Sequence, residues 1–163
     1  ARFKALSGVA PIEIHFKTES PLRARWNDFR TAEIARYIGQ VRAALPSQMA
    51  LGVYILPPDF VEVGQDAARF AADVQQLAPM CYHSDWRFPL DWVWNRCLSS
   101  TVAKAGATAV APTLGANLPD DEVRQIVAQI RQSYPGIRTL VWFQHEAWTE
   151  ANLARLARLS NGN

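Results

Sequence analysis

The stretch "LAPMCYHSDW", Leu77 to Trp86, decides the fold. Its first half is apolar and uncharged, as a strand covered on both faces would be, and its second half collects Tyr82, His83, Ser84, Asp85 and Trp86 where the apolar run stops. Three other apolar runs share that design. "ALGVYIL" begins at Ala50 and is stopped by Pro57-Pro58, "ATAVAPT" begins at Ala107, and "IRTLVWF" begins at Ile137, so the four runs start roughly 30 residues apart.

Helical patterns fill the gaps. Ala67, Phe70, Ala71, Val74 and Leu77 follow the first run at helical spacing; Leu90, Val93, Trp94, Cys97, Leu98, Thr101 and Val102 follow the second. Val123, Ile126, Val127 and Ile130 follow the third, opened by Pro119 at the first helical position with Asp120, Asp121 and Glu122 in the first turn. After the fourth, Thr149 is placed to cap a helix carrying Leu153, Leu156 and Ala157. Ahead of all of them, Ile34, Ile38, Val41 and Leu45 form one stripe of a helix ended by Pro46.

One helix followed by four strand–helix units predicts an α/β fold with parallel strands covered by helices. A period near 30 residues is that of a (β/α)8 barrel, where about 250 residues serve eight units, so the chain is expected to form half of, or part of, a TIM barrel. The alternative is an open doubly wound sheet. That architecture ordinarily carries a glycine-rich phosphate turn, and neither G-x-G-x-x-G nor G-x-x-x-x-G-K-[ST] occurs here. The expected organisation is a single α/β domain over residues 1–163: an irregular lead-in at 1–24, a helix at 25–45 and four βα units at 50–160. "ARFKALSG" reads like the tail of a helix entered in its middle, and Ala1 in place of Met reads like a processed or trimmed piece of a larger barrel.

Composition narrows the function. The chain has 163 residues, 49% hydrophobic and 20% charged, with a net charge of only +2, and its arginines are scattered rather than gathered into the basic stripe that tracks a phosphate backbone; nucleic acid is therefore not an expected partner. No run of about 18 apolar residues is present, which excludes a helical membrane span. Cys81 and Cys97 fall in a strand and the helix after it, and are read as buried thiols rather than as a disulfide or a metal knuckle.

In parallel α/β folds the ligand site gathers at the carboxyl ends of the strands. That face would collect Asp59, Tyr82, His83, Asp85, Trp86, Asn117, Trp142, Gln144, His145 and Glu146. Carboxylates and amides exchange hydrogen bonds with hydroxyl groups, and aromatic faces stack on the C–H faces of sugar rings, so the mixture suits an oligosaccharide or polysaccharide. Each residue also has a plainer role: the tryptophans as packing groups, His83 as a bridge within a loop, Asp85 as a turn cap before Phe88-Pro89, Asp59 as a turn residue, Glu146 as a solvated lead into the last helix. Trp142 is expected to point into the barrel mouth.

"RFKALSG", "WNDFRTAEIARYIGQVRAALP", "ALGVYILPP" and above all "GQDAARFAADVQQLAPMCYHSDW" resemble bacterial glycoside-hydrolase-like (β/α)8 barrels, in the half that begins just after the fourth strand. The resemblance runs from about Arg2 to Trp86 and is vaguer beyond. It implies sugar chemistry; no cofactor or metal is expected. Retaining members of the superfamily use two carboxylates about 5 Å apart, an acid/base after strand four and a nucleophile after strand seven. Strand four lies outside this chain, and the run that would be strand seven, Ala107 to Thr113, ends without a carboxylate; the carboxylates left as catalytic candidates are Asp85 and Glu146, with Tyr82, His83 and Trp142 positioning the sugar. Two alternatives stand beside this reading. One is a non-catalytic carbohydrate-binding or interaction module, favoured by the missing strand-seven carboxylate; half a barrel also leaves open sheet edges, which call for a homodimer or association with the missing half of the barrel. The other is a metal-dependent hydrolase using His83, Asp85, His145 and Glu146, although no H-x-H or H-E-x-x-H spacing is present.

Overall fold

Four short parallel strands lie side by side in chain order: β1 (Gly52–Ile55), β2 (Gln76–Pro79), β3 (Thr113–Gly115) and β4 (Val141–Phe143). The computed structural model describes residues 1–14, 20–60, 63–143 and 148–161. Val53 pairs with Leu77, and Leu114 with Trp142. Bridges at Leu77–Val110 and Met80–Thr113 join the two strand pairs, and the Cys81 N–H donates to the Thr113 carbonyl at 2.9 Å. A doubly wound sheet reverses its strand order at a switch point; the described strands run in order without reversal. The chain is α/β, with helices between parallel strands.

Alternation along β2 organises the packing. Leu77, Pro79 and Cys81 point to one face; Ala78, Met80 and Tyr82 point to the other. The first face meets the helices. One cluster there joins Ile55, Leu77 and Phe70 to Ile38, on the long helix α2 (Pro21–Ala44). A larger one joins Cys81, Val110 and Leu114 to Val93, Cys97 and Leu98, to Val123, Ile126 and Ile130 of α5 (Asp120–Ser133), and to Leu156 and Leu159 of α6 (Glu150–Asn161). Leu77, Leu98, Leu114 and Ile126 are fully buried, each contributing about 1.5–3 kcal/mol of transfer free energy.

The lead-in is more regular than expected. Residues 2–7 form a helix, α1 (Arg2–Ser7), closed by Gly8 in the left-handed conformation at φ +78°. Its Phe3 packs on Trp26 and Phe29 of α2, with ring centroids 4.9 and 5.3 Å away. α2 begins at Pro21 rather than near residue 25, because the Ser20 hydroxyl accepts the Arg23 N–H at 3.1 Å and Pro21 fits the first turn. Thr149 caps α6 as expected, its hydroxyl accepting the Asn152 N–H at 3.2 Å.

Three other expectations are corrected. The helix predicted from Ala67 to Leu77 stops at Phe70: α3 (Ala67–Phe70) is capped by Asp66, and the chain then turns so that Gln76 and Leu77 can pair with β1. Gln75 fixes that return, its N–H donating to the Leu51 carbonyl and its side chain accepting the Leu51 N–H. The run starting at Ala107 opens as a 3-10 turn over Ala107–Ala109, and its strand forms later, at Thr113.

The cysteines are not free thiols. Cys81 and Cys97 form a disulfide, with Cα atoms 5.9 Å apart and no solvent exposure on either residue. Cys81 ends the helix-facing row of β2, and Cys97 lies in a π-helical segment, Val93–Leu98, that leads into α4 (Ser99–Ala105). Direct packing of a strand on its following helix brings the two within the span a disulfide bridges.

Candidate functional site

The strand face turned away from the helices ends in an aromatic row. Phe60 follows β1, Tyr82 and Trp86 follow β2, and Phe143 closes β4. Their rings are in sequential contact: Phe60 to Trp86 at 4.8 Å, Trp86 to Tyr82 at 5.5 Å, and Tyr82 to Phe143 at 5.3 Å, the last pair stacked at 24°. Trp92 supports the row from behind, edge-on to Trp86 at 6.1 Å and stacked on Phe88 at 4.5 Å. Phe143 is 53% exposed, and Tyr54, on the same strand face of β1, is 51% exposed.

Polar groups flank the row. The Tyr82 hydroxyl is pushed up to about 12, first by burial, then by the neighbouring Tyr54 and by the negative charge of Asp85. It is therefore a neutral donor at every physiological pH. Asp85 is exposed and has no hydrogen-bond partner among the described residues.

Asp59 is used otherwise. One of its carboxylate oxygens accepts the Trp92 Nε1–H at 3.1 Å and the other accepts the Arg96 Nε–H at 3.3 Å, so it ties the loop after β1 to the π-helical segment. His83 is also a strut: it is buried, and its Nε2 lies 3.0 Å from Glu122 Oε2 in the first turn of α5. Its Nδ1 is buried without a hydrogen-bond partner among the described residues. Asn117 is exposed on the loop after β3 and stands over Gly115, where an added Cβ would lie 3.3 Å from the Asn117 Oδ1. Arg155 of α6 holds this loop, donating to the Ala116 and Leu118 carbonyls and to Asp120.

Trp142 does not face the strand-end mouth. Its partner in register is Leu114, a helix-facing core residue, so Trp142 shares that face, packing on the core and lining a cleft of about 410 Å³ with Leu140 and Leu153. Phe143, one residue on, takes the position that had been expected for Trp142. Gln144, His145 and Glu146 lie outside the described residues. Among the described residues no three of His, Cys, Asp and Glu come together as metal ligands would.

No family model matches the chain, and no curated protein matches it. Solved structures do. The glycoside hydrolase domain of PgaB (BpsB) from Bordetella bronchiseptica superposes with a TM-score of 0.72 at 12% identity, over 99% of this chain and 51% of that one. A chitinase from Chromobacterium violaceum ATCC 12472 superposes at 0.65 with 10% identity, over 83% of this chain and 63% of that one. The fold is one found in glycoside hydrolases. The chain spans about half the length of the first structure and under two thirds of the second.

The residues that sequence reading missed are Phe60, Tyr54 and Phe143. Phe60 adjoins Asp59 and was within reach of the strand-end argument. Tyr54 and Phe143 required the phase of alternation in β1 and β4, which short apolar runs do not give.

Proposed function

We propose that this chain is carbohydrate-active and binds an oligosaccharide or polysaccharide across the carboxyl ends of its strands, as one half of a (β/α)8 barrel. The observation that carries the reading is the row Phe60–Trp86–Tyr82–Phe143, which crosses from the loop after β1 to the end of β4 with the Tyr82 hydroxyl and the uncommitted Asp85 carboxylate beside it. Aromatic faces in sequence stack on successive rings of a glycan, and the hydroxyl and carboxylate hydrogen-bond to its hydroxyl groups. The likeness to glycoside hydrolase domains supports the same class of ligand. β1 and β4 are the outer of the described strands, and a second half, or a second copy, closes the barrel against them.

Turnover needs a second carboxylate beside Asp85. Both oxygens of Asp59 are engaged, which leaves Asp85 as the uncommitted carboxylate among the described residues after β1 and β2. A pair of carboxylates is what ordinary glycoside hydrolysis requires. Glu146 is the proposed second member, and with it the chain is catalytic; without it, it is a binding module. Titration calorimetry with a panel of linear oligosaccharides tests the reading. Phe143→Ala should weaken binding by about 1–3 kcal/mol if a ring stacks there, by analogy with other aromatic platforms. Equal affinities for Phe143→Ala, Trp86→Ala and the unaltered chain would sink it.

A further inference from the structure

The disulfide closes a loop that holds the middle of the aromatic row. Tyr82, His83, Asp85 and Trp86 all lie between Cys81 and Cys97, together with Trp92, which backs the aromatic row. Both ends of the bridge are fixed to rigid structure: Cys81 donates its N–H to Thr113 of β3, and the Cys97 carbonyl accepts the Thr101 hydroxyl at 3.0 Å. Between those ends the loop is held by His83 against Glu122, by Trp92 and Arg96 on Asp59, and by its ring contacts. Its tip is a turn closed by the Phe88 N–H to the His83 carbonyl at 2.8 Å, and Arg87 there adopts φ +58°. A side-chain-bearing residue in the left-handed region costs free energy and persists only where its surroundings over-determine it. Glycine would be the usual occupant, and no glycine lies in the loop.

We infer that the Cys81–Cys97 bond is a positioning element of the strand-end site, acting with the His83 and Asp59 struts, and that the chain attains its ligand-binding form where disulfides form and persist, in an oxidising compartment. The sequence has only these two cysteines, so the pairing has no competitor within the chain. With both sulfurs fully buried, the bond is out of reach of reductants in the folded protein and acts as a permanent fastening, not a switch. Oxidation of the two thiols passes two electrons and two protons to the thiol–disulfide oxidant of that compartment. The ligand part of the inference rests on the proposed function; the fastening of the loop does not.

The test compares the intact chain with Cys81→Ala/Cys97→Ala and with Ile38→Ala, a destabilising control in the separate cluster against α2. Free thiols are counted in denaturant after native purification under oxidising conditions, amide hydrogen exchange is followed over residues 82–96, and oligosaccharide affinity is measured well below the melting temperature. The expected results are no free thiol in the intact chain, and in the double variant loop exchange faster by about tenfold or more relative to α5, with affinity falling by about the same factor. The Ile38→Ala control should leave both unchanged. Two free thiols in a folded chain, or equal loop protection with and without the cysteines, overturns the inference. Exchange reads the loop with no sugar present, so failure of the intact chain to bind any oligosaccharide would refute the proposed function while exchange still decides the fastening.

Discussion

Removing the carboxylate of Glu122 should separate a structural histidine from a ligand-binding one. His83 has a side chain only 5% exposed, against 32% for Glu122, and the two are joined by a single contact of 3.0 Å. Glu122→Ala leaves the buried His83 Nε2 without its partner, at a cost of about 1–3 kcal/mol. It also removes a negative charge from the first turn of α5, worth about 0.3–1 kcal/mol at an exposed helix N-terminus. Because Glu122 is partly solvated, screening puts the combined loss at about 2 kcal/mol. For a chain of this size that lowers the melting temperature by roughly 4–8 °C, read by calorimetry or far-ultraviolet dichroism. Glu122→Gln keeps an oxygen that accepts from the imidazole and should lose about half as much. Oligosaccharide affinity, measured well below melting, should stay within about a factor of two in both variants. An unchanged melting temperature in Glu122→Ala would refute the reasoning, and a tenfold loss of affinity at unchanged stability would make the pair part of the binding surface.

The hydroxyl of Tyr82 should ionise near 12 in the folded chain, against 10.0 for a free tyrosine, as followed by tyrosinate absorbance with Tyr82→Phe as the blank. Since the folded state holds this proton more tightly, the contribution to stability is complete below pH 10 and fades as pH rises towards 12; a Tyr82 that titrates with the exposed tyrosines would contradict the packing described here. Asp120 is held below its ordinary value of 3.8, chiefly by the hydrogen bond from Arg155. Its contribution is therefore present above that pH and lost as pH falls through the lowered value, and Arg155→Ala should raise the Asp120 carboxyl towards 3.8 in a carbon-detected titration while loosening the loop around Asn117; an unmoved titration would exclude the pairing.

The spacing of four apolar runs carried the architecture, because each parallel strand with its return helix needs a similar length of chain. What spacing left undecided was settled by pairing. Leu77 satisfies the helical stripe begun at Ala67 and also the strand, and only its pairing with Val53 assigns it to β2. Trp142 and Phe143 adjoin on a three-residue strand, and register against Leu114 and Gly115 sends the first to the core and the second to the open face. The strand-end face itself was legible: Asp59, Tyr82, His83, Asp85, Trp86 and Asn117 all lie after strands. Which of them are struts was not, since the partners of Asp59 and His83, Arg96 and Glu122, are remote in sequence and meet only through tertiary packing. The disulfide escaped for the same reason: a cysteine in a strand and another in the next helix looks alike whether or not the sulfurs meet.

The sequential strand order has a kinetic consequence. Each described strand pairs only with its neighbours in the chain, so no pairing needs more than the next strand–helix unit to be complete, and the loop closed at each step is that of one unit. As the chain leaves the ribosome, β1 can seat on α2 before β2 exists, and β2 can add to it before β3 does. Assembly then proceeds as elongation from an existing edge, and every intermediate along it ends in one growing strand of the same kind as the last.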